Sequence, residues 1–122
     1  TAKKIEDIID YWCKYYELER SAAEGGSRVQ NLKMLRYCIF WSIKKKVVPN
    51  NLTMEGIGKI FNRHHSTVIH AMKAMEDWIK YDSDLRQDLM VMLNEFGYRA
   101  DWNEPLQELT FIRKGELYPS RL

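Results

Sequence analysis

Residues 53–79 read TMEGIGKIFNRHHSTVIHAMKAMEDWI, and the fold turns on how this stretch divides. Thr53 is a helix N-cap candidate, because its hydroxyl can accept from an early amide of the helix that follows. Ile57, Ile60 and Phe61 recur at the spacing of one buried helix side. Gly56 and Gly58 each cost about 1 kcal/mol against alanine inside a helix, so their presence in one short helix implies close backbone packing against a neighbour. Asn62-Arg63-His64 is polar and rich in turn formers. A longer helix then opens at His65-Ser66-Thr67. It would bury Val68, Ala71 or Met72, Met75, and Trp78 or Ile79, and leave Ser66, His70, Lys73 and Asp77 on the opposite side. Two helices joined by a tight turn, with short hydrogen-bonding side chains at the start of the second, form the layout of a helix-turn-helix. In that layout the first residues of the second helix reach base edges in the DNA major groove.

Charge supports this reading. Between Arg28 and Lys73 the sequence holds nine cations, Arg28, Lys33, Arg36, Lys44, Lys45, Lys46, Lys59, Arg63 and Lys73, against the single carboxylate Glu55. That segment therefore carries +8 in a chain of net +2, which leaves −6 on the flanks. Such concentration is the electrostatic footprint of a polyanion-binding face rather than of an evenly solvated surface. The three consecutive lysines also have a plainer role, since cations at a helix C-terminus offset its dipole.

Outward from the centre, 122 residues with 45% hydrophobic and 30% charged content make one globular domain rather than a disordered chain. Ile5, Ile8, Ile9, Trp12 and Tyr16 define an amphipathic helix that should end before Ser21. The aromatic cluster Tyr11, Trp12, Tyr15 and Tyr16 is read as core rather than as a base-stacking platform, because its neighbours are acidic. Glu24-Gly25-Gly26-Ser27 reads as a mobile loop. From Val29 to Lys46 the pattern is apolar nearly all round, as in the buried centre of a bundle, with Gln30, Lys33 and Arg36 along its polar edge. Val47 to Leu52 forms a loop around Pro49. Asp82-Ser83-Asp84 signals another N-terminus, and Leu85, Leu89, Met92 and Phe96 continue at helical spacing to a stop at Gly97. In the tail, Asn103-Glu104-Pro105 predicts a short helix through Arg113, with an extended arm over 109–112 as the alternative. Trp102, Phe111, Ile112 and Tyr118 would cover the core or dock a partner. Cys13 and Cys38 are read as buried thiols of a reducing compartment. The chain begins at Thr1 without methionine, as a processed or excised piece would, and it shows neither a leader pattern nor an apolar run able to span a bilayer.

The segment Gly58 to Ala71 resembles the signature of the C-terminal DNA-binding domain of DnaA, the bacterial replication initiator, which runs approximately I-G-x-x-F-G-G-R-D-H-S/T-T-V-I/L-H-A. Ile57, Gly58, Phe61, Arg63, His65, Thr67, Val68, His70 and Ala71 coincide with it. Trp12 to Leu18 resembles the family's first short helix with its paired tyrosines, and Val29 to Ile43 its basic loop and long central helix. The resemblance covers roughly Ile5 to Phe96. It implies an all-α, TrpR-like helical cluster over residues 1–97, followed by an additional C-terminal extension over 98–122, a short helix or arm packing on the domain. It also implies double-stranded DNA as the partner. His64, His65, Ser66, Ile69 and His70 would fall at base edges, Ile69 against a thymine methyl. Arg28, Lys33, Arg36, Arg63, Thr67 and Lys73 would fall on the backbone or minor groove, with Lys33 at the place of an arginine that precedes the family's long helix. The sequence departs from the signature in four places. His64 replaces an aspartate that caps the helix and accepts from a base, the turn is one residue shorter, Ala74 replaces a basic residue, and lysine replaces arginine at Lys33.

Together these readings describe a sequence-specific DNA-binding module of replication or regulation, cytoplasmic and nucleoid-associated. It would need no cofactor or metal, have no small-molecule substrate or membrane partner, and could meet other replication or regulatory proteins. Catalysis is disfavoured. His65 and His70 are five apart rather than at the i, i+4 spacing of helical zinc ligands, and no Gly-x-x-x-x-Gly-Lys-Ser/Thr run exists to hold a nucleotide. The alternative is a protein-interaction module that kept the fold and lost specific DNA binding.

Overall fold

A computed structural model describes residues 3–25 and 30–115. Arg28 and Tyr118 lie outside the described residues, as does the glycine-rich loop beyond Gly25. The chain divides into two compact units, Thr1–Asp77 and Trp78–Leu122. Among the described residues, no helix is long and apolar enough to cross a membrane.

The first unit is helical. The single helix read from Ile5 towards Ser21 is two, α1 (Ile5–Tyr16) and α2 (Arg20–Glu24). Glu17 takes a left-handed conformation (φ +54°), and Leu18 N–H closes the helix end onto the Cys13 carbonyl at 2.9 Å. At the other end, the Lys4 amide donates to the Asp7 carboxylate at 2.6 Å. α1 buries Ile8, Ile9 and Trp12 against α3 (Gln30–Lys44). Tyr11 and Tyr15 meet the Trp12 ring edge-on; of the cluster expected in the core, Trp12 is buried, Tyr11 and Tyr16 are half-buried and Tyr15 is exposed.

Helix α3 is the centre of this unit, and its last nine core positions run unbroken from Leu35 to Ile43. Two of those residues are polar. Ser42 is fully buried and accepts from Trp12 Nε1–H at 3.0 Å while donating to the Cys38 carbonyl at 2.7 Å. Both groups are thereby satisfied, as buried polar atoms must be. Cys13 is half-buried and Cys38 buried, and both are free thiols. After α3, Lys46 takes a positive φ of 63° and its ammonium donates to the Asn50 carbonyl at 2.6 Å. The loop that follows is anchored by Val47 and Val48, both buried.

The second unit holds the end of α5 (His65–Tyr81), α6 (Ser83–Glu95) and a two-stranded antiparallel sheet. Asp82 caps α6, accepting from Leu85 N–H at 3.0 Å. Gly97 (φ +90°) turns the chain into β1 (Tyr98–Asn103), which pairs with β2 (Glu108–Arg113) from Tyr98↔Arg113 to Asn103↔Glu108. The helix expected over 103–113 is therefore a hairpin, and the chain is mostly helical rather than wholly so. Asn103-Glu104-Pro105 does open a turn. The Asn103 side chain accepts from Leu106 N–H at 3.0 Å, and Gln107 then reverses the chain with a positive φ of 52°. Along β1 the apolar residues alternate instead of recurring by helical turns: Tyr98, Ala100 and Trp102 are buried or half-buried, while Arg99, Asp101 and Asn103 are exposed. On β2, Leu109, Phe111 and Ile112 are half-buried and Thr110 is exposed. The Arg86 guanidinium lies 4.4 Å over the Trp102 ring and donates to the Ile79 and Lys80 carbonyls at 2.8 and 3.0 Å. One side chain thus ties the end of α5 to the hairpin.

Removing the hydroxyl at Ser42 leaves the Trp12 N–H buried without a partner. Ser42→Ala should lower the stability read by urea unfolding by about 1–3 kcal/mol. The same change made in a Trp12→Phe background should cost clearly less, because no donor is then orphaned.

Candidate nucleic-acid interface

The interface is built on α4 (Met54–Lys59) and the first half of α5. Thr53 caps α4, its hydroxyl accepting from Gly56 N–H at 3.1 Å. The two glycines of this helix differ in role. A Cβ on Gly58 would sit 2.5 Å from the Arg63 carbonyl oxygen, whereas one on Gly56 would meet side chains alone, Leu52 at 3.2 Å and the Thr53 hydroxyl at 3.6 Å. The neighbour implied by the sequence is thus the turn itself, packed back on α4 at Gly58. Arg63 N–H completes the closure by donating to the Gly58 carbonyl at 2.9 Å.

The turn spans residues 60–64, longer than the three residues read from sequence. Ile60, Phe61 and Asn62 each donate to the carbonyl three residues back, at 3.2 Å, which tightens the end of α4. Asn62 supplies the reversal in a left-handed conformation (φ +55°), which asparagine tolerates better than most residues. Phe61 is fully buried and packs against Phe40 of α3, with ring centroids 5.8 Å apart. That contact fixes the turn to the central helix.

Helix α5 starts at His65 as expected, with His64 as its N-cap. The His64 carbonyl accepts from Thr67 N–H at 3.0 Å, and its ring Nδ1 accepts from Ser66 N–H at 3.2 Å. The imidazole therefore performs the capping role that a carboxylate would otherwise perform. Its ring lies 4.1 Å from that of His65, above a recess of about 320 Å³ lined by Glu55, Lys59, Arg63, His64 and His65. Val68, Ala71 and Met75 face the core. Ser66, Ile69, His70 and Lys73 are exposed, and at i, i+3, i+4 and i+7 they share one side of the helix. His65 and Thr67 are half-buried at its margin.

Beside this face lies a cleft of about 580 Å³, lined by Gln30, Lys33, Arg36 and Tyr37 from α3 and by Arg63, Thr67 and His70 from the helix-turn-helix. Among the described residues that line it, three are cations and none is a carboxylate. Lys33 lies in the first turn of α3 rather than ahead of it, with its ammonium 5.6 Å from the Tyr37 ring centroid. Tyr37 in turn meets His70 edge-on at 6.3 Å. Burial, partly offset by the Arg36 charge, raises the pKa of the Tyr37 phenol, so it remains a neutral donor. Tyr37 escaped the sequence reading because it falls within an apolar run. Its spacing of four from Lys33 on one helix was the available signal.

Arg36, expected at the DNA backbone or minor groove, is 7% exposed, and its guanidinium donates to the Ala23 carbonyl of α2 at 3.4 Å. Burial first, and the nearby Arg63 charge second, lower its pKa, while Tyr37 acts in the opposite direction. An arginine remains charged under such shifts, so Arg36 puts a fixed positive charge at the base of the cleft. Arg63 also has a structural duty, its Nη2 donating to the Gly25 carbonyl at 2.5 Å. Lys73 is exposed on α5 but does not line the cleft.

The fold and this basic, carboxylate-free cleft beside an exposed helix face define a helix-turn-helix domain of the DNA-binding class. The family model for the bacterial DnaA protein helix-turn-helix matches residues 5–75, nearly the whole of the first compact unit, and the chain belongs to that family. It is 34% identical over 89 residues to the chromosomal replication initiator protein DnaA of Bacteroides fragilis, covering 72% of this chain and 18% of that protein. With the protein of the same name from Tropheryma whipplei it shares 30% identity over 83 residues, covering 68% and 17%. The chain thus spans less than a fifth of the length of these relatives. No solved structure matches.

Because a Cβ at residue 58 has only backbone to meet, Gly58→Ala should destabilise the domain by about 1–3 kcal/mol through overpacking. Gly56→Ala, facing a flexible leucine, should cost nothing or gain up to about 1 kcal/mol from helix propensity. Thermal or urea unfolding of the two variants side by side checks the contrast.

Proposed function

We propose that this domain binds double-stranded DNA with sequence preference, in replication initiation or its regulation, and that the first half of α5 enters the major groove. The observation that carries this reading is the cleft in which Lys33, Arg36 and Arg63 converge without a carboxylate, directly beside the exposed face of α5. A phosphate backbone would relieve the mutual repulsion of Arg36 and Arg63, and neutralising phosphates releases condensed counterions. Lys33, Arg63 and Thr67 are the direct backbone or minor-groove contacts in this reading, with Lys73 and Arg28 as further cations and Arg36 acting by its charge alone. His64, Ser66, Ile69 and His70 face the base edges, and His65 stands at their margin. Ile69, 38% exposed, offers the apolar surface that suits a thymine methyl. Membership of the DnaA family, and relatives named as chromosomal replication initiators, support replication as the context.

Backbone contacts position and base contacts specify, so two substitutions should behave differently in a gel-shift series across salt concentrations. Lys33→Ala should weaken binding to all duplexes alike and reduce the magnitude of the salt slope by about 1. His70→Ala should cost about 1–3 kcal/mol on the preferred sequence and little on unrelated ones. Absence of binding to random duplex DNA at low salt would overturn the reading and favour a protein-interaction module on the same fold.

A further inference from the structure

The cap at the start of α5 fixes which way the His64 ring can hydrogen-bond. The His64 Nδ1 accepts from the Ser66 backbone N–H at 3.2 Å. A backbone hydrogen cannot rotate away, so Nδ1 presents its lone pair there and carries no proton. The single proton of the neutral ring then sits on Nε2, which becomes a donor only. The Ser66 hydroxyl lies 2.9 Å from the same Nδ1. That nitrogen has one lone pair, already turned to the backbone N–H, so the hydroxyl hydrogen shares it or rotates away, and in either case the oxygen keeps lone pairs that accept from outside. Both residues are exposed. The tip of α5 therefore offers one outward donor, from His64, beside one outward acceptor, from Ser66.

Resting on the DNA-binding reading above, we propose that His64 selects a base that presents acceptors in the major groove, guanine before the others, and that Ser66 selects a neighbouring base that presents a donor. Guanine shows N7 and O6, two acceptors side by side, so an Nε2–H finds a partner across a range of ring tilts. Adenine sets its N7 next to an amino group that would repel the donor. Cytosine shows only its N4 amino group, and a second donor opposite it leaves both unpaired. Ser66, with acceptor capacity outward, suits the amino group of adenine or cytosine. An aspartate at residue 64 would also cap α5, since carboxylates are good N-caps, but every outward lone pair it held would accept. Exchange between these two residues therefore inverts the polarity of the position and leaves the helix start intact.

The test is selection from a random duplex pool with the full chain, wild type and His64→Asp in parallel. The wild type should enrich guanine at one position of its site, and the aspartate variant should enrich cytosine at that same position, with relative preference shifting by about tenfold or more. Sites that retain the same base at every position in both selections would overturn the proposal while leaving DNA binding standing. A wild-type chain that retains no duplex at all would overturn the DNA-binding reading and this proposal with it. Circular dichroism of both proteins separates a change of preference from a failure to fold. A second readout needs no DNA. Long-range proton–nitrogen correlation spectra of the neutral imidazole should place the His64 proton on Nε2, and a proton on Nδ1 would overturn the assignment.

Discussion

The backbone of the turn closes on α4 at Gly58, and helix α5 depends on that contact for its position. With no Cβ at residue 58, the Arg63 carbonyl occupies space a side chain would fill, and the Arg63 amide returns a hydrogen bond to the Gly58 carbonyl. The turn is thereby held against α4, and Phe61 within it is packed on Phe40 of α3. His64 then begins α5 with its own ring as cap. The face carrying Ser66, Ile69, His70 and Lys73 follows from these contacts and from helix periodicity. Rigid elements placing a few polar groups is the arrangement a site that reads bases requires.

The electrostatics rest on the same architecture. Helix α3 buries most of its surface, yet its first turns leave Gln30, Lys33 and Tyr37 at the cleft and bring Arg36 beneath it. Arg36 is held to the Ala23 carbonyl and Arg63 to the Gly25 carbonyl. Both cations are thus tethered by α2 or the residue that ends it. Charges fixed in this way keep their field over the cleft without losing side-chain entropy when a partner arrives. Short α2 accordingly acts as a brace for the interface, which its five residues alone would not suggest.

Much of this was legible in the sequence because helical packing leaves a periodic trace. Val68, Ala71 and Met75 recur at core spacing, and the exposed partners on α5 fall where that spacing puts them. The cation excess between Arg28 and Lys73 needed no structure to be seen. Other features left no such trace. Lys33 and Arg36 share the polar edge of α3, and nothing in their spacing tells that one turns towards solvent and the other towards α2. The cost of glycine at residues 56 and 58 was visible, but only the structure separates the position that meets backbone from the one that meets a leucine. Asn103-Glu104-Pro105 suits the first turn of a helix as well as a reverse turn. The Asn103 side chain caps either, and the alternation along β1 together with the pairing of the two strands decides for the hairpin. The capping role of His64 also lay beyond the sequence, because imidazole is not among the usual N-caps.

The central claim is that α5 and the adjoining cleft form one DNA-binding surface. Backbone amide chemical shifts followed during titration with duplex DNA test it most directly. The account predicts that the largest perturbations fall on residues 30–37 and 63–73 and weaken as salt is raised. Perturbations centred on the hairpin at 98–113, with α5 and the cleft unaffected, would contradict it.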